Sequence, residues 1–461
     1  MHRVIILHTN DIHGRTERLA RVATLVERVR GENPGTPVLY FDGGDVEESS
    51  VRLSNITKGA AMHRLLSAAG CDAAAVGNAA ATGYGPQSLV PISQAARYPL
   101  VLANLRTPDG SPIAGVQPTA LLDLGILRLG VIGLTAWMWG FYEKTYDLVI
   151  PETLPLVSEM SAALRQDGAD AVIMLSHMGL KWDRELAAEL LDIPLVIGAH
   201  THDLLPEGER VGETLVVQAG QYAEHLGRVD LTWDGERLTG ARATVMPVTP
   251  DILASPRMLS EMEAAEADAA AFLDEVIGEL AQPLDWALNR ECGVGNLAAQ
   301  VLRERMDADV GIASLGAAFS GPLPAGPLRR GTLWDVCFFP TNPGVVTLSG
   351  SQLAAVIRRG RDPVFALDRP RTMRGNARGM LHLSGASERE GELLVAGEPV
   401  DAERAYRVAG TDWELEPYGG YVQEDWALQP RYEMPTILRE AVEEYVARHT
   451  PVRSAGGHAS G

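Results

Sequence analysis

"VIILHTNDIHGR", residues 4–15, decides how the rest of the chain is read. Val4, Ile5, Ile6 and Leu7 form an unbroken apolar run that passes through His8 and Thr9 into a polar turn, Asn10-Asp11-Ile12-His13. A short apolar run bounded by turn residues predicts a strand buried on both faces. It is too short for a signal peptide, and no run in the chain approaches the ~20 apolar residues of a membrane span. Eight further runs follow the same plan: "PVLYFD", "DAAAVG", "PLVLANL", "LRLGVIGLTA", "DAVIMLSH", "PLVIGAH", "TLVVQAG" and "LGRVDLTW". Amphipathic stretches at 16–30 and 155–166 lie between them. Strand-like runs alternating with helical periods predict an α/β domain over residues 1–250.

Chemistry gathers at the ends of these runs. The first leads to Asp11 and His13, the second to Gly43, Gly44 and Asp45, and the third to Asn78. "DAVIMLSH" ends at His177, and "PLVIGAH" delivers His200 and then His202. The carboxyl edge of an open α/β sheet is where sites form. Each feature alone has a plainer reading: a surface DxH, two histidines on one strand face, a core histidine, a turn asparagine. Five strand ends each carrying an O or N ligand is the pattern that points to metal. Carboxylate with imidazole suits Zn, Mn or Fe rather than Ca. Asp45 is the candidate shared ligand, because the two preceding glycines let the backbone come close.

The bulk numbers set limits. With 461 residues the chain exceeds one core and fits two domains. Its net charge of −20 repels polyphosphate, which argues against a nucleic-acid polymer as partner. Small phosphorylated substrates remain compatible when cations supply the positive field. Cys71, Cys292 and Cys337 form no CxxC pair and no even framework, so the expectation is a reducing cytoplasm with no disulfides and no thiolate zinc site, and the lack of a long apolar run adds the expectation of no membrane association.

The pattern changes after residue 250. Ser255 and Pro256 read as an N-cap and a first-turn proline. Leu259, Met262, Ala269, Phe272, Val276 and Leu280 follow at helical spacing until Pro283. This predicts one linker helix within 251–285. A second, smaller α/β domain is expected over 286–447, with "GVGNLAAQVLRERM" helical and "DVGIASLG", "GVVTLSG" and "AYRVAGTDW" as strands. Residues 448–461, small and polar, are expected to be a disordered tail.

The ordered set "HTNDIHGR", "DGGD", "VGN", "SHMG" and "GAHTH" resembles that of the calcineurin-like metallophosphoesterases. The longer layout is similar to the 5′-nucleotidase branch, including its C-terminal domain. The resemblance implies an αββα sandwich with a dimetal centre at one sheet end. It implies one divalent ion (Mn, Zn or Fe) on Asp11, His13, Asp45 and His202, and a second on Asp45, Asn78, His177 and His200. It also implies hydrolysis of a small phosphoester, a nucleotide in this branch, by a bridging hydroxide. In the second half, "GVGNLAAQVLRERMDADVGI", "LPAGPLRRGTLWDVCFF" and "GTDWELEPYGGY" resemble the branch's nucleotide-binding domain, with Phe339 and Tyr421 near its base-sandwiching aromatics. Ser320 stands about where the branch carries a recognition arginine.

One segment departs from the family. After Asn78 the family has His and Glu, with Asp shortly after. This chain has Ala79, Ala80 and Thr82. General acid–base assistance is worth ~10²–10⁴ in rate, so the expectation is a phosphoester hydrolase that favours acidic leaving groups. His225 and Tyr84 are candidate replacements for the missing group. The alternative reading is a metal-containing protein that binds a phosphorylated ligand without turnover.

Overall fold

The computed structural model describes residues 2–453 other than 236, 317, 338 and 370–376. The chain divides into two compact units, Met1–Ala269 and Ala270–Gly461.

Among the described residues the first unit carries twelve strands: β1 His2–Thr9, β2 Val38–Asp42, β3 Ala73–Ala75, β4 Leu100–Val101, β5 Thr119–Asp123, β6 Arg128–Thr135, β7 Ala171–His177, β8 Leu195–Gly198, β9 Glu209–Val211, β10 Thr214–Val217, β11 His225–Trp233 and β12 Leu238–Pro247. They form two six-stranded sheets, ordered β12-β11-β1-β2-β3-β4 and β5-β6-β7-β8-β10-β9. β1 to β4 run parallel in one sheet, and β6, β7, β8 and β10 run parallel in the other.

Alternation along the strands explains the layers. Val4, Ile6, Leu39 and Phe41 of one sheet pack with Leu129, Val131, Ile173, Leu175 and Ile197 of the other. The intervening residues point outward. On the second sheet Ile132, Leu134, Val172 and Met174 meet Val157 and Leu164 of helix Thr153–Gln166 and Leu186 of helix Leu180–Glu189. On the first sheet Ile5, Leu7 and Tyr40 are fully buried, and helix Thr16–Glu32 buries Leu19, Val22, Ala23 and Val26. The result is an αββα sandwich, and both sheets have both faces covered.

The second unit holds a five-stranded sheet of residues 310–314, 343–349, 381–384, 405–411 and 431–432. Helix Gly293–Arg305 packs with Ala313, Leu315 and Ala409. Leu353 and Val356 of helix Gly350–Gly360 pack with Ile312, Val346, Leu348 and Val408.

Two boundaries differ from the sequence reading. The helix that begins at Pro256 ends at Asp274, and Val276–Leu280 is a strand paired with Gly326–Arg329. Val276 and Leu280 fit helical spacing. However, Gly278 lies at φ 155°, a backbone state open to glycine, and its Cβ would stand 2.7 Å from Val446. Within the expected tail, Val452 is buried and exchanges hydrogen bonds with Glu279 and Ala281. The last eight residues of that tail, 454–461, lie outside the described residues.

Candidate metal centre

The carboxyl ends of β1, β2, β3, β7 and β8 bring seven candidate residues into one region. The loops after β1 and β2 are tied side by side: Asp11 N–H donates to Gly44 O, His13 N–H to Asp45 O and Gly14 N–H to Val46 O, each at 2.9 Å. His200 N–H donates to Asp11 Oδ2 at 3.0 Å, joining the loop after β8. Asn10 fastens the same corner. Its Nδ2 donates to Asp11 Oδ2 and Gly220 O, and its Oδ1 accepts from Ala219 N–H.

Two overlapping groups result, Asp11 with His13 and His202, and Asp11 with Asp45 and His177. His202 Nε2 lies 3.3 Å from Asp11 Oδ1 and 3.3 Å from His13 Nε2. His177 Nε2 lies 3.2 Å from Asp45 Oδ2. His177 Nδ1 is 2.9 Å from Gly43 O, an acceptor, so that nitrogen carries the proton and Nε2 is left facing the carboxylates. The rings of His177 and His200 meet edge-on at 5.3 Å. Asn78 Oδ1 is buried without a hydrogen-bond partner.

Backbone strain marks the same residues. Asp11, His13, Asp45, His200 and His202 all have positive φ, between 47° and 75°. Such states are costly for residues with a Cβ and collect at functional sites. Close approach explains the glycines. A Cβ on Gly77 would overlap the Asp45 carboxylate and stand 2.5 Å from Asp45 N, and one on Gly44 would stand 2.8 Å from His177 Nδ1.

The electrostatics fit a cation. Burial opposes charge on His177, but Asp45 beside it outweighs burial and the imidazole is pushed up to about 10. Burial likewise works against the Asp45 carboxylate, yet His177 and the Ala79 N–H hold it below its ordinary value. Hydrogen bonding to Asp11 raises His202, whereas burial lowers His200. Buried carboxylates that favour a protonated imidazole favour positive charge of any kind. The partnerless atoms and the O/N donor set suit a divalent ion.

The other candidates stand differently. The Tyr84 hydroxyl is buried against Ser54 Oγ at 3.0 Å. His225 opens β11, half-buried, with Nδ1 unpartnered. In the second unit Tyr421 is 1% exposed and packs edge-on against Phe365 at 5.1 Å, so neither ring face is open to a base. Phe339 is half-buried. Ser320 is exposed, and its N–H donates to Val336 O. It borders a recess of about 180 Å³ with Trp286, Phe319 and Arg369. Sequence reading passed over Tyr222, whose ring meets His13 and His202 and carries the Arg15 guanidinium at 4.6 Å. The one available signal was its place just after "TLVVQAG", another strand end.

The sandwich and its carboxyl-edge cluster are similar to those of the calcineurin-like metallophosphoesterases. Comparison with known proteins points the same way. Residues 276–424 match the family described as 5′-nucleotidase, C-terminal domain. An uncharacterized metallophosphoesterase, YunD of Bacillus subtilis, is 25% identical over 94% of this chain and 97% of its own length. A 5′-nucleotidase of Diplobatis ommata is 26% identical over 65% of this chain, and the match spans 59% of that relative. In fold, the 5′-nucleotidase precursor of Thermus thermophilus superposes with a TM-score of 0.54 at 21% identity, covering 99% and 98% of the two chains. The chain is a divergent relative of the metallophosphoesterases and 5′-nucleotidases.

Proposed function

We propose that the protein is a metal-dependent phosphoester hydrolase resembling the 5′-nucleotidases, working on small phosphoesters with acidic leaving groups. The observation that carries this reading is the convergence of the ends of β1, β2, β7 and β8 on one cluster with strained backbone and unpartnered ligand atoms. Asp11, His13, Asp45 and His202 would hold one divalent ion, and Asp45, Asn78, His177 and His200 a second. Bound there, the ions would supply Lewis-acid activation of a phosphoryl group and of water. The chain's own part is to hold these ligands. Gly43 O fixes the His177 tautomer, and the Ala79 N–H orients Asp45 at 2.7 Å.

The position after Asn78 has only methyl groups to offer. Ala79 is half-buried and Ala80 buried, so this turn donates no proton to a leaving oxygen. Substrates whose leaving group departs as a stable anion need no such donor. Nucleotide anhydrides and aryl esters belong to that group, and the likeness to 5′-nucleotidases favours a nucleotide. A cytoplasmic location is supported by three free, buried cysteines. Among the described residues no helix is long and apolar enough to cross a membrane.

The test is hydrolysis by Mn²⁺-loaded protein of an aryl phosphodiester, a nucleoside monophosphate and a nucleotide anhydride. Metal-dependent turnover is expected, fastest on the anhydride or aryl ester. Absence of turnover on all three would favour the ligand-binding alternative, for which the alanines at 79 and 80 are the supporting observation.

A further inference from the structure

A sixth strand end reaches the same edge. Thr135, the last residue of β6, is the register partner of His177 on parallel β7. Paired residues on neighbouring strands turn their side chains to the same face of the sheet. Thr135 is held firmly. Its N–H donates to Asn104 Oδ1 at 2.8 Å and its carbonyl accepts from Asn104 Nδ2 at 2.9 Å, and Asn104 is fully buried. Beyond it the chain enters helix Phe141–Tyr146, where Tyr142 is also fully buried.

Thr135 Oγ1 and the Tyr142 hydroxyl face each other, and neither has any other hydrogen-bond partner, a condition close to that of Asn78 Oδ1 and His177 Nε2. Buried polar groups are nearly always paired, and exceptions call for a ligand, a water or a role. Burial raises the Tyr142 phenol, its side-chain hydrogen bond with Thr135 opposes this, and the Asp45 carboxylate raises it further.

We infer that the Thr135 and Tyr142 hydroxyls form a neutral hydrogen-bonding pair that holds a phosphoryl oxygen of the ligand beside the metal cluster. The inference takes its ligand class from the phosphoester reading above. Thr135, the register partner of His177, and the Tyr142 hydroxyl facing it contribute donors on the β6 side, where "LRLGVIGLTA" offers no metal ligand. They differ from the donor missing at Ala79 because they grip the phosphoryl group and leave the departing oxygen unassisted.

The test uses the full-length Mn²⁺-loaded protein with Tyr142→Phe and Thr135→Val, each close in shape to the original. Inorganic phosphate is titrated by calorimetry, alongside metal content and the Tm of the metal-free protein. Loss of a hydrogen bond to an anionic oxygen is expected to weaken phosphate binding by about tenfold or more in Tyr142→Phe. Metal content should be unchanged, and the metal-free protein should unfold in a single transition near the wild-type Tm. For any ester the wild type hydrolyses, kcat/KM should fall by a similar factor. Phosphate affinity within twofold of wild type in both variants would overturn the pair and leave the hydroxyls to water. If Tyr142→Phe loses metal, Thr135→Val decides by the same criterion. Wild-type protein that binds phosphate but hydrolyses no ester would defeat the hydrolase reading, while weakened phosphate binding in the variants would still support the pair. Metal-loaded wild type that binds no phosphate would overturn the pair.

Discussion

Asp45 and Tyr421 are both buried, and both stand at positions the 5′-nucleotidase likeness marks as functional, yet their surroundings differ in kind. Around Asp45 the backbone is left-handed at five candidate ligands, two glycines are packed to contact, and ligand atoms lie unpaired. Around Tyr421 the ring lies edge-on to Phe365 within an apolar cluster that includes Trp413 and Leu415. Strain and unpaired polar atoms raise the energy of a fold and persist where a ligand offsets them. An aromatic side chain in a core is stabilised by its own burial. The amino unit thus keeps the features of a binding site at its candidate residues, whereas the carboxy unit has used Tyr421 for packing.

The sharpest way to break this contrast is Asp45→Ala. Removing the shared carboxylate should lower bound metal well below wild type and cut metal-dependent hydrolysis by ~10³-fold or more. Wild-type activity in this variant, measured beside its metal content, would end the metal assignment. Next in size is Ala79→His, which returns an imidazole to the half-buried turn. Hydrolysis of a nucleoside monophosphate should rise by up to ~10²-fold, the low end of general acid–base assistance, while an aryl ester changes little. An equal change on both substrates would count against the leaving-group argument.

Gly77→Ala should be felt through Asp45, whose carboxylate the new methyl would overlap. Metal affinity is expected to fall ~10–100-fold, as when a ligand's supporting contacts are disturbed. Affinity equal to wild type would show that the close packing is incidental.

Asp183 offers a smaller effect, read from pH. It is fully buried and hydrogen-bonded to Ser176 Oγ, and burial pushes its carboxyl up to about 7. A carboxyl raised above its unfolded value binds its proton more tightly in the folded state. Its contribution to stability is therefore fully present below about pH 4 and is lost as pH rises through about 7. Asp183→Asn should flatten part of that decline in metal-free protein, and Asp42, also pushed up to about 7, should keep the rest. Identical denaturation midpoints across pH 4–7 in variant and wild type would contradict the assignment.

The smallest change belongs to the carboxy unit. Tyr421→Phe removes a buried hydroxyl that faces the Ser314 and Trp413 side chains. Stability should change by about 1 kcal/mol or less, with KM unaltered. A KM raised tenfold would mean that the ring does meet substrate, and the contrast between the units would fall.

Much of the amino unit was legible because its strands are short apolar runs with N or O ligands at their ends. All nine runs read from the sequence contain strands, and the ends of β1, β2, β7 and β8 bring Asp11, His13, Asp45, His177 and His202 together. Thr135 and Tyr142 were not legible. "LRLGVIGLTA" ends without a metal-type ligand, and only the register with β7 sets Thr135 beside His177. Tyr222 escaped for a related reason, since its contacts with His13 and His202 come from loops far apart in sequence. The strand at Val276–Leu280 was hidden because a four-residue interval fits a helix, and the close fit of Gly278 against Val446 belongs to the tertiary fold.

The most direct test of the central claim is anomalous diffraction from crystals of the Mn²⁺-loaded protein. Two peaks are expected about 3.5–4 Å apart, the spacing of two-metal sites, with Asp45 between them and Asn78, His177 and His200 around one. A single peak, or peaks away from Asp11 and Asp45, would contradict the account.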